Sequence, residues 1–259
     1  MWITPGRVLY AGLLGRPTVR RIGASMIYLA QESPLRLSLN GGDWEEGELF
    51  SVPAYTPHRI ASDALSVVDL LIEPETVVSH LLPRVLRQSP GLIHASELER
   101  RVRALVLRLQ VKESALPHDD GGFDQLLFGE ALPRPQLDAR IQAVLADIDA
   151  NPGGSKPAEI YAQSCHLSES HFVHLFKKET GVPLRTLRMW KRARSLLHYV
   201  NQRANLADIA LLAGYPDSTH FSHSVRTIYG LSPKDMFAGS RELELLGTTP
   251  SPVALPGRR

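Results

Sequence analysis

The sequence predicts a two-domain α+β protein, with a small antiparallel β-barrel and a few helices in its N-terminal half and an all-α double helix-turn-helix in its C-terminal half. Three observations predict this architecture. The chain has 259 residues, of which 43% are hydrophobic, ample material for two cores. Short β-rich runs crowd the region before residue 76. Two later stretches, Ala158 to Gly181 and Leu206 to Gly230, repeat one grammar of short helix, tight turn and longer helix ending at glycine, and their anchors Phe172 and Phe221 lie 49 positions apart.

The β-rich runs are Arg7–Leu14, Ser25–Ala30, Leu35–Leu39, Glu48–Val52, His58–Ala61 and Leu65–Ile72, separated by turn signals at Gly15-Arg16-Pro17, Asn40-Gly41-Gly42 and Pro53. Strands this short and this closely spaced favour an antiparallel barrel. Asn40-Gly41 is a strong hairpin signal, because both residues tolerate positive φ. A barrel mouth is a natural small-ligand site, and Tyr28, Trp44, Tyr55 and His58 offer aromatic faces and one imidazole to line it. Packing within strands and turns is the simpler account of each.

Val77–Leu86 and Ser96–Val111 are helical in period. In the second, Leu98, Val102, Leu105 and Leu109 recur at spacings of 4, 3 and 4, an a/d seam flanked by Glu97, Arg100, Arg101, Arg103 and Arg108. Such a seam serves either self-association or packing on the chain's own barrel; the first reading predicts a homodimer. Pro117 to Gln136 turns polar and rich in glycine and proline, which marks a connection, with a helical turn at Phe123 to Phe128 able to dock. The resulting organisation is a sensor and dimerisation domain over 1–112, a linker over 113–136, a helical domain over 137–240 and a disordered tail over 241–259 that carries Pro250, Pro252 and Pro256.

The second repeat is the better punctuated. Asn205 caps a helix whose Leu206, Ile209, Ala210 and Ala213 share one face, with Asp208 favouring the positive end of the dipole. Gly214 supplies the left-handed conformation of a sharp turn. Pro216 and Asp217 restart a helix with Phe221, Val225 and Ile228 inward and Thr219, Ser222, His223 and Arg226 outward. The first repeat matches it: Ile160 and Tyr161 in the short helix, Cys165-His166-Leu167 in the turn, Ser168 as the cap, then Phe172, Leu175 and Phe176 inward and Ser170, Val173, His174 and Lys177 outward. His166 stands where the second copy has glycine, tolerable because histidine is enriched at positive φ. Between the copies Leu187 to Leu197 reads as a basic amphipathic helix long enough to hold them apart. Paired second helices suit two major grooves on one DNA face, which lie about 34–36 Å apart.

Several separated signatures carry a resemblance: Phe176-Lys177-Lys178-Glu179-Thr180-Gly181, Ala193 with Leu196-Leu197, Ile209-Ala210 through Gly214-Tyr215, His220-Phe221-Ser222, Tyr229-Gly230 and Ser232-Pro233. Leu137 to Phe237 resembles the DNA-binding domain of AraC/XylS-type transcription regulators. Val52-Pro53-Ala54-Tyr55-Thr56-Pro57-His58 is similar to the cupin-like sensor half found in many of them. The resemblance implies a cytoplasmic, sequence-specific regulator, an activator more readily than a repressor, that binds promoter DNA, works with RNA polymerase and answers to a small-molecule effector, without a cofactor.

Position by position, the resemblance places base-facing sites at Ser170, Val173 and His174 and at Ser218, Thr219, Ser222 and His223. It leads one to expect arginine at His174 and His223. Arginine forks onto guanine O6 and N7, worth about 1–3 kcal/mol of discrimination, whereas neutral histidine offers one donor. Base readout is therefore expected to be differently tuned, and to strengthen as imidazoles protonate near histidine's ordinary pKa of about 6.5. Two surface histidines without a role are the plain alternative. Phosphate contacts are expected from Lys177, Lys178, Arg185, Arg192, Arg194, Arg226 and Lys234. Residues 136–240 carry a net charge of +3 and residues 1–135 a net −2, so the attracting field is a local patch.

Other classes fit less well. A cupin-type metal enzyme needs a compact set of histidines and a carboxylate, and only His58 precedes residue 76. No nucleophile motif, P-loop or dinucleotide fingerprint occurs. A protein-interaction adaptor without DNA binding is the remaining alternative, left open by the two histidines. Cys165, the single cysteine, cannot form an internal disulfide. No apolar run reaches 18 residues and no basic-then-apolar N-terminus is present, so neither a membrane span nor a secretory signal is expected.

Overall fold

The computed structural model describes residues 1–64, 66–87, 90–110, 116–154, 156–202, 205–240 and 243–247. It divides into two compact units, the first built essentially from residues 1–134 and the second from residues 135–241.

The N-terminal unit contains β1 (Trp2–Ile3), β2 (Arg7–Leu13), β3 (Ser25–Ala30), β4 (Leu35–Leu39), β5 (Glu45–Gly47), β6 (Leu49–Val52), β7 (His58–Ser62), β8 (Ser66–Ile72) and β9 (Gly91–Leu92). It is completed by β10 (Leu246–Gly247), paired in parallel with β1. Part of the stretch expected to be a disordered tail is thus a strand; residues 248–259 lie outside the described residues. The strands form a seven-stranded sheet in the order β10-β1-β2-β8-β3-β6-β9 and a three-stranded sheet in the order β5-β4-β7. The expected barrel is therefore realised as two hydrogen-bonded sheets. Asn40 and Gly41 take φ of 51° and 77° in the turn after β4, the conformation their pairing predicts.

The period of two decides what each face of the large sheet meets. Leu9, Ile27, Leu29, Val68 and Leu70 join one core with Leu98, Val102 and Leu105 of α1 (Ser96–Gln110) and Phe123 and Leu127 of α2 (Asp120–Phe128). This corrects the seam expectation: Leu98, Val102 and Leu105 are buried against the chain's own sheet, with Leu109 packed at the edge of the same core, so none of the four is free to zip a dimer. Fifteen helical residues with an apolar stripe satisfy a sheet face as readily as a second helix.

Two further expectations change. The helix expected over Val77 to Leu86 is instead a set of 3₁₀ turns at Pro74–Thr76, Ser79–Leu81 and Arg84–Arg87. Pro83 disfavours helical backbone at the residue before it, and Leu82 is extended at φ −59° and ψ 153°. The polar stretch expected to be linker supplies α2. Asp119 caps it by accepting from the Gly122 N–H, Gly129 closes it at φ 82°, and Phe123 packs on Trp2 with ring centroids 4.4 Å apart.

The C-terminal unit is all helical: α3 (Ala139–Ala150), α4 (Ala158–Ser164), α5 (Glu169–Thr180), α6 (Leu184–Ser195), a 3₁₀ turn at Leu196–His198, α7 (Leu206–Leu212), α8 (Ser218–Tyr229) and α9 (Pro233–Gly239). Its first core joins Ile141, Val144 and Ile148 of α3 with Tyr161, Ala162, Phe172, Phe176, Leu184 and Leu187. The second helix-turn-helix buries Ile209, Ala210, Ala213, Tyr215, Phe221, Val225 and Ile228.

Candidate nucleic-acid interface

The two repeats are equivalent down to their backbone hydrogen bonds. In the first turn His166 N–H donates to Gln163 O and Leu167 N–H to Ala162 O; in the second Gly214 N–H donates to Leu211 O and Tyr215 N–H to Ala210 O. His166 and Gly214 hold the same position in their turns, with φ of 55° and 76°. The second copy then has one more residue, so Phe172 N–H donates to Ser168 O and Phe221 N–H to Asp217 O, 49 positions apart. The helix starts are capped alike. Ser168 Oγ accepts from His171 N–H, and Asp217 Oδ1 accepts from His220 N–H at 2.8 Å. The His220 N–H and ring also hold the Asp217 carboxyl below the usual carboxylate range.

With the caps and the phenylalanine anchors fixed, the outward faces of α5 and α8 follow from helical geometry. Ser170, Val173 and His174 on α5 and Ser218, Thr219 and His223 on α8 are exposed, and Ser222 is half-buried. Val173 is an apolar side chain 37% exposed, the chemistry that contacts a thymine methyl. Between the two helices runs a groove of about 710 Å³, floored by Arg185, Arg188, Met189 and Arg192 of α6 and walled by Val173 on one side and His220, His223, Ser224 and Thr227 on the other. Arg188 and Met189 were not singled out from the sequence, and His220 only as part of a signature, not as a contact. The positions were legible in the helical period of α6 and α8, but the groove depends on the angle between three helices.

The basic side chains divide into two groups. Lys177, Lys178, Arg185, Arg226 and Lys234 are exposed, and Arg185 lines the groove. Arg194 is only 5% exposed, and Arg192 is half-buried with its guanidinium 5.5 Å from the Tyr215 ring and its pKa lowered, chiefly by burial. Both expected phosphate contacts on the inner side of α6 are thus committed to the fold. Lys191 is likewise turned inward, its Nζ 2.9 Å from Asp149.

In the N-terminal unit, two of the four expected pocket residues come together. Tyr28 and His58 are buried, with Tyr28 Oη 2.8 Å from His58 Nε2. His58 Nδ1 lies 2.8 Å from Thr56 O, so Nδ1 carries the proton and the Tyr28 hydroxyl donates to Nε2. Burial lowers the His58 pKa to about 4, consistent with a neutral ring. Register places Asp69 opposite both Tyr10 and Tyr28 on the same sheet face, a row that no local sequence pattern reveals. Loss of water raises the Asp69 pKa to about 7, against the opposing pull of Arg20. The other two expected residues lie elsewhere: Trp44 is 44% exposed beneath the Arg59 guanidinium, and Tyr55 sits in a turn at φ 61°.

Comparison with known proteins follows the same division. A family described as "Helix-turn-helix domain" matches residues 161–239. Invasion protein InvF from Salmonella typhimurium and its namesake from Salmonella typhi are each 32% identical over 71 residues, 27% of this chain, and the match spans only a third of those relatives' length. Over 90% of its length the chain resembles ToxT of Vibrio cholerae in fold: an apo variant from strain SCE256 at TM-score 0.61 and 12% identity, and the strain O395 protein at TM-score 0.59 and 11% identity, with 97% of each ToxT chain covered. No helix among the described residues is long and apolar enough to cross a membrane. From the family match over residues 161–239 and the paired units on one connecting helix, the chain carries a helix-turn-helix domain of the AraC type.

Proposed function

We propose that the protein is a sequence-specific, promoter-binding transcription regulator that inserts α5 and α8 into successive major grooves of one DNA face. The observation that carries this reading is the equivalence of the two helices: matched caps, matched turns, and matched polar faces left exposed on either side of a basic groove. Val173 and the hydroxyl and imidazole groups of Ser170, His174, Ser218, Thr219, Ser222 and His223 read bases, while Lys177, Lys178, Arg185, Arg226 and Lys234 hold phosphates. Bound at a promoter, the regulator acts through RNA polymerase, and activation is the expected sign. Its place of work is the cytoplasm, where promoter DNA and polymerase are found.

The N-terminal unit is the regulatory half in this proposal. One ToxT structure of the same overall fold, at TM-score 0.56, is described as bound to an unsaturated fatty acid. The Tyr10–Asp69–Tyr28 row with His58 is the polar interior best suited to a small effector here, since aromatic faces and buried hydrogen-bonding groups converge on it. A homodimer would pair two double-headed readers on a repeated site, using a face other than the α1 seam.

Selection from a randomised DNA library with the full chain tests the proposal. Enrichment of a motif with two parts about 10–10.5 bp apart is expected. Failure to enrich any sequence over the starting pool would overturn it and favour the adaptor reading.

A further inference from the structure

Within the C-terminal unit, the loop ahead of α4 meets the turn of the second helix-turn-helix backbone to backbone. A Cβ placed on Gly153 would lie 3.1 Å from Ala213 C, 3.1 Å from Gly214 N and 3.2 Å from Ala213 O, and one placed on Gly214 would lie 2.2 Å from Gly153 O. Neither position leaves room for a methyl group without moving main chain. Gly214 also holds φ of 76°, so its turn has two reasons to be glycine. The loop is held in this contact by α6. Arg188 donates from Nη1 to Lys156 O at 2.7 Å and from Nη2 to Gly154 O at 2.6 Å, and Arg192 Nη2 lies 3.5 Å from Gly153 O. The Arg192 guanidinium in turn covers Tyr215, the residue after Gly214, whose hydroxyl is 3.1 Å from Ser224 Oγ on α8.

The Gly153–Gly214 contact joins the two halves of the domain directly, and side chains of α6 brace it. The loop belongs to the α3–α4 connection and so to the first helix-turn-helix; Gly214 and Tyr215 belong to the second. We infer that the Gly153–Gly214 contact, locked by Arg188 and Arg192, is the clamp that sets the separation and angle of α5 and α8. Gly153, Gly214, Arg188 and Arg192 are positioning residues: they act through the placement of α5 and α8, whatever groups those helices present. The inference rests on the DNA-binding reading for its consequence, but the clamp itself is testable without DNA. Two readers joined rigidly at the groove spacing gain from each other's binding, and that gain vanishes when geometry forbids simultaneous engagement.

The test has two arms. Spin labels at Ser170→Cys and Thr219→Cys in the full chain, with buried Cys165 retained, report the α5–α8 distance by double electron–electron resonance in the absence of DNA. Gly153→Ala is expected to shift or broaden that distance, while Gly181→Ala, at a φ of 77° with open space around it, strains a turn and leaves the distance unchanged. In unlabelled protein, Gly153→Ala is expected to lose about tenfold or more in affinity for a two-part site and to bind a single half-site as the parent does. Should Gly153→Ala fail to fold, Arg188→Gln removes the two carbonyl bonds without adding bulk and is read by the resonance arm alone, since Arg188 also floors the groove. An unchanged distance distribution, or equal losses on the two-part and single sites, overturns the clamp. If the parent chain binds no DNA, the functional reading falls and the resonance arm alone decides the clamp.

Discussion

Arg7 of β2 and Asp124 of α2 face each other in a two-pronged ion pair, Nε to Oδ1 at 2.8 Å and Nη2 to Oδ2 at 3.1 Å, with both side chains almost wholly buried. Arg7 also donates to Gly6 O and Thr76 Oγ1, and Asp124 Oδ2 accepts from Leu132 N–H, so the remaining polar positions of the pair are largely occupied. Burial raises the Asp124 pKa even against the opposing effect of Arg7. Removing one partner leaves a buried charge uncompensated, and Asp124→Ala is expected to cost about 3–5 kcal/mol in urea unfolding. Replacing both, as Arg7→Met with Asp124→Leu, is expected to cost much less, because the pair's mutual attraction mainly offsets its own desolvation.

The stability of the N-terminal unit should be nearly level between about pH 4 and 6.5 because two groups oppose each other. Asp69 has a folded pKa raised to about 7, so unfolding releases its proton and stability falls as pH rises toward 7. His58 has a folded pKa lowered to about 4, so unfolding takes up a proton below histidine's ordinary pKa and stability falls as pH drops toward 4. Asp69→Asn should leave the His58 effect alone, with stability climbing over this window; His58→Gln should produce the reverse slope. Amide exchange of β3 and β8, read at several pH values, isolates this unit from the other, and level profiles in both variants would refute the pairing.

Residues that carry local information were legible in the sequence. Phe172 and Phe221, the caps Ser168 and Asn205, the paired turn residues His166 and Gly214, and the Asn40-Gly41 hairpin each announce their conformation within a few positions. What was not legible depends on distant partners. The stretch around Asp120 and Asp124 looks like a linker because its satisfaction comes from Thr4, Gly6 and Arg7, more than 110 positions away. Asp69 reveals nothing until register sets it between Tyr10 and Tyr28. On α6 the helical period identifies a basic helix, yet only the fold shows that Arg188 and Arg192 are spent on loop carbonyls while Arg185 stays free of the core.

That division of α6 separates two kinds of DNA-binding variant. Ala at Lys177, Lys178, Arg185 or Arg226 should weaken binding to all sequences alike and reduce the salt-dependence slope by about 1 each. Arg194→Ala should lower unfolding stability, because its side chain is buried, and leave the slope of the folded protein unchanged. Affinity titrations across a salt series distinguish the two, and a reduced slope in Arg194→Ala would restore it to the phosphate-contacting set.

Base readout is tested by restoring the forked donor that neutral histidine lacks. His174→Arg or His223→Arg should add about 1–3 kcal/mol of preference for guanine at one position of the selected site, with the other half of the motif unchanged. Both side chains are exposed at the helix surface, so the exchange needs no repacking. Comparing selected motifs from the parent and each variant localises the effect; a uniform gain across all positions would mark the new arginine as a phosphate contact instead.

Leu105 decides between the two uses of the α1 seam. It is 4% exposed and packed in the core that also holds Leu98, Val102 and Phe123. Leu105→Glu therefore places an unpaired carboxylate where no partner awaits it, and loss of the folded N-terminal unit is expected rather than a well-folded protein of lower mass. Leu107, 62% exposed two residues along, is the matched control: Leu107→Glu should leave stability within about 0.5 kcal/mol of the parent. Light scattering together with thermal unfolding separates the outcomes. A folded, stable Leu105→Glu monomer derived from a dimeric parent would show that the seam faces a second chain after all.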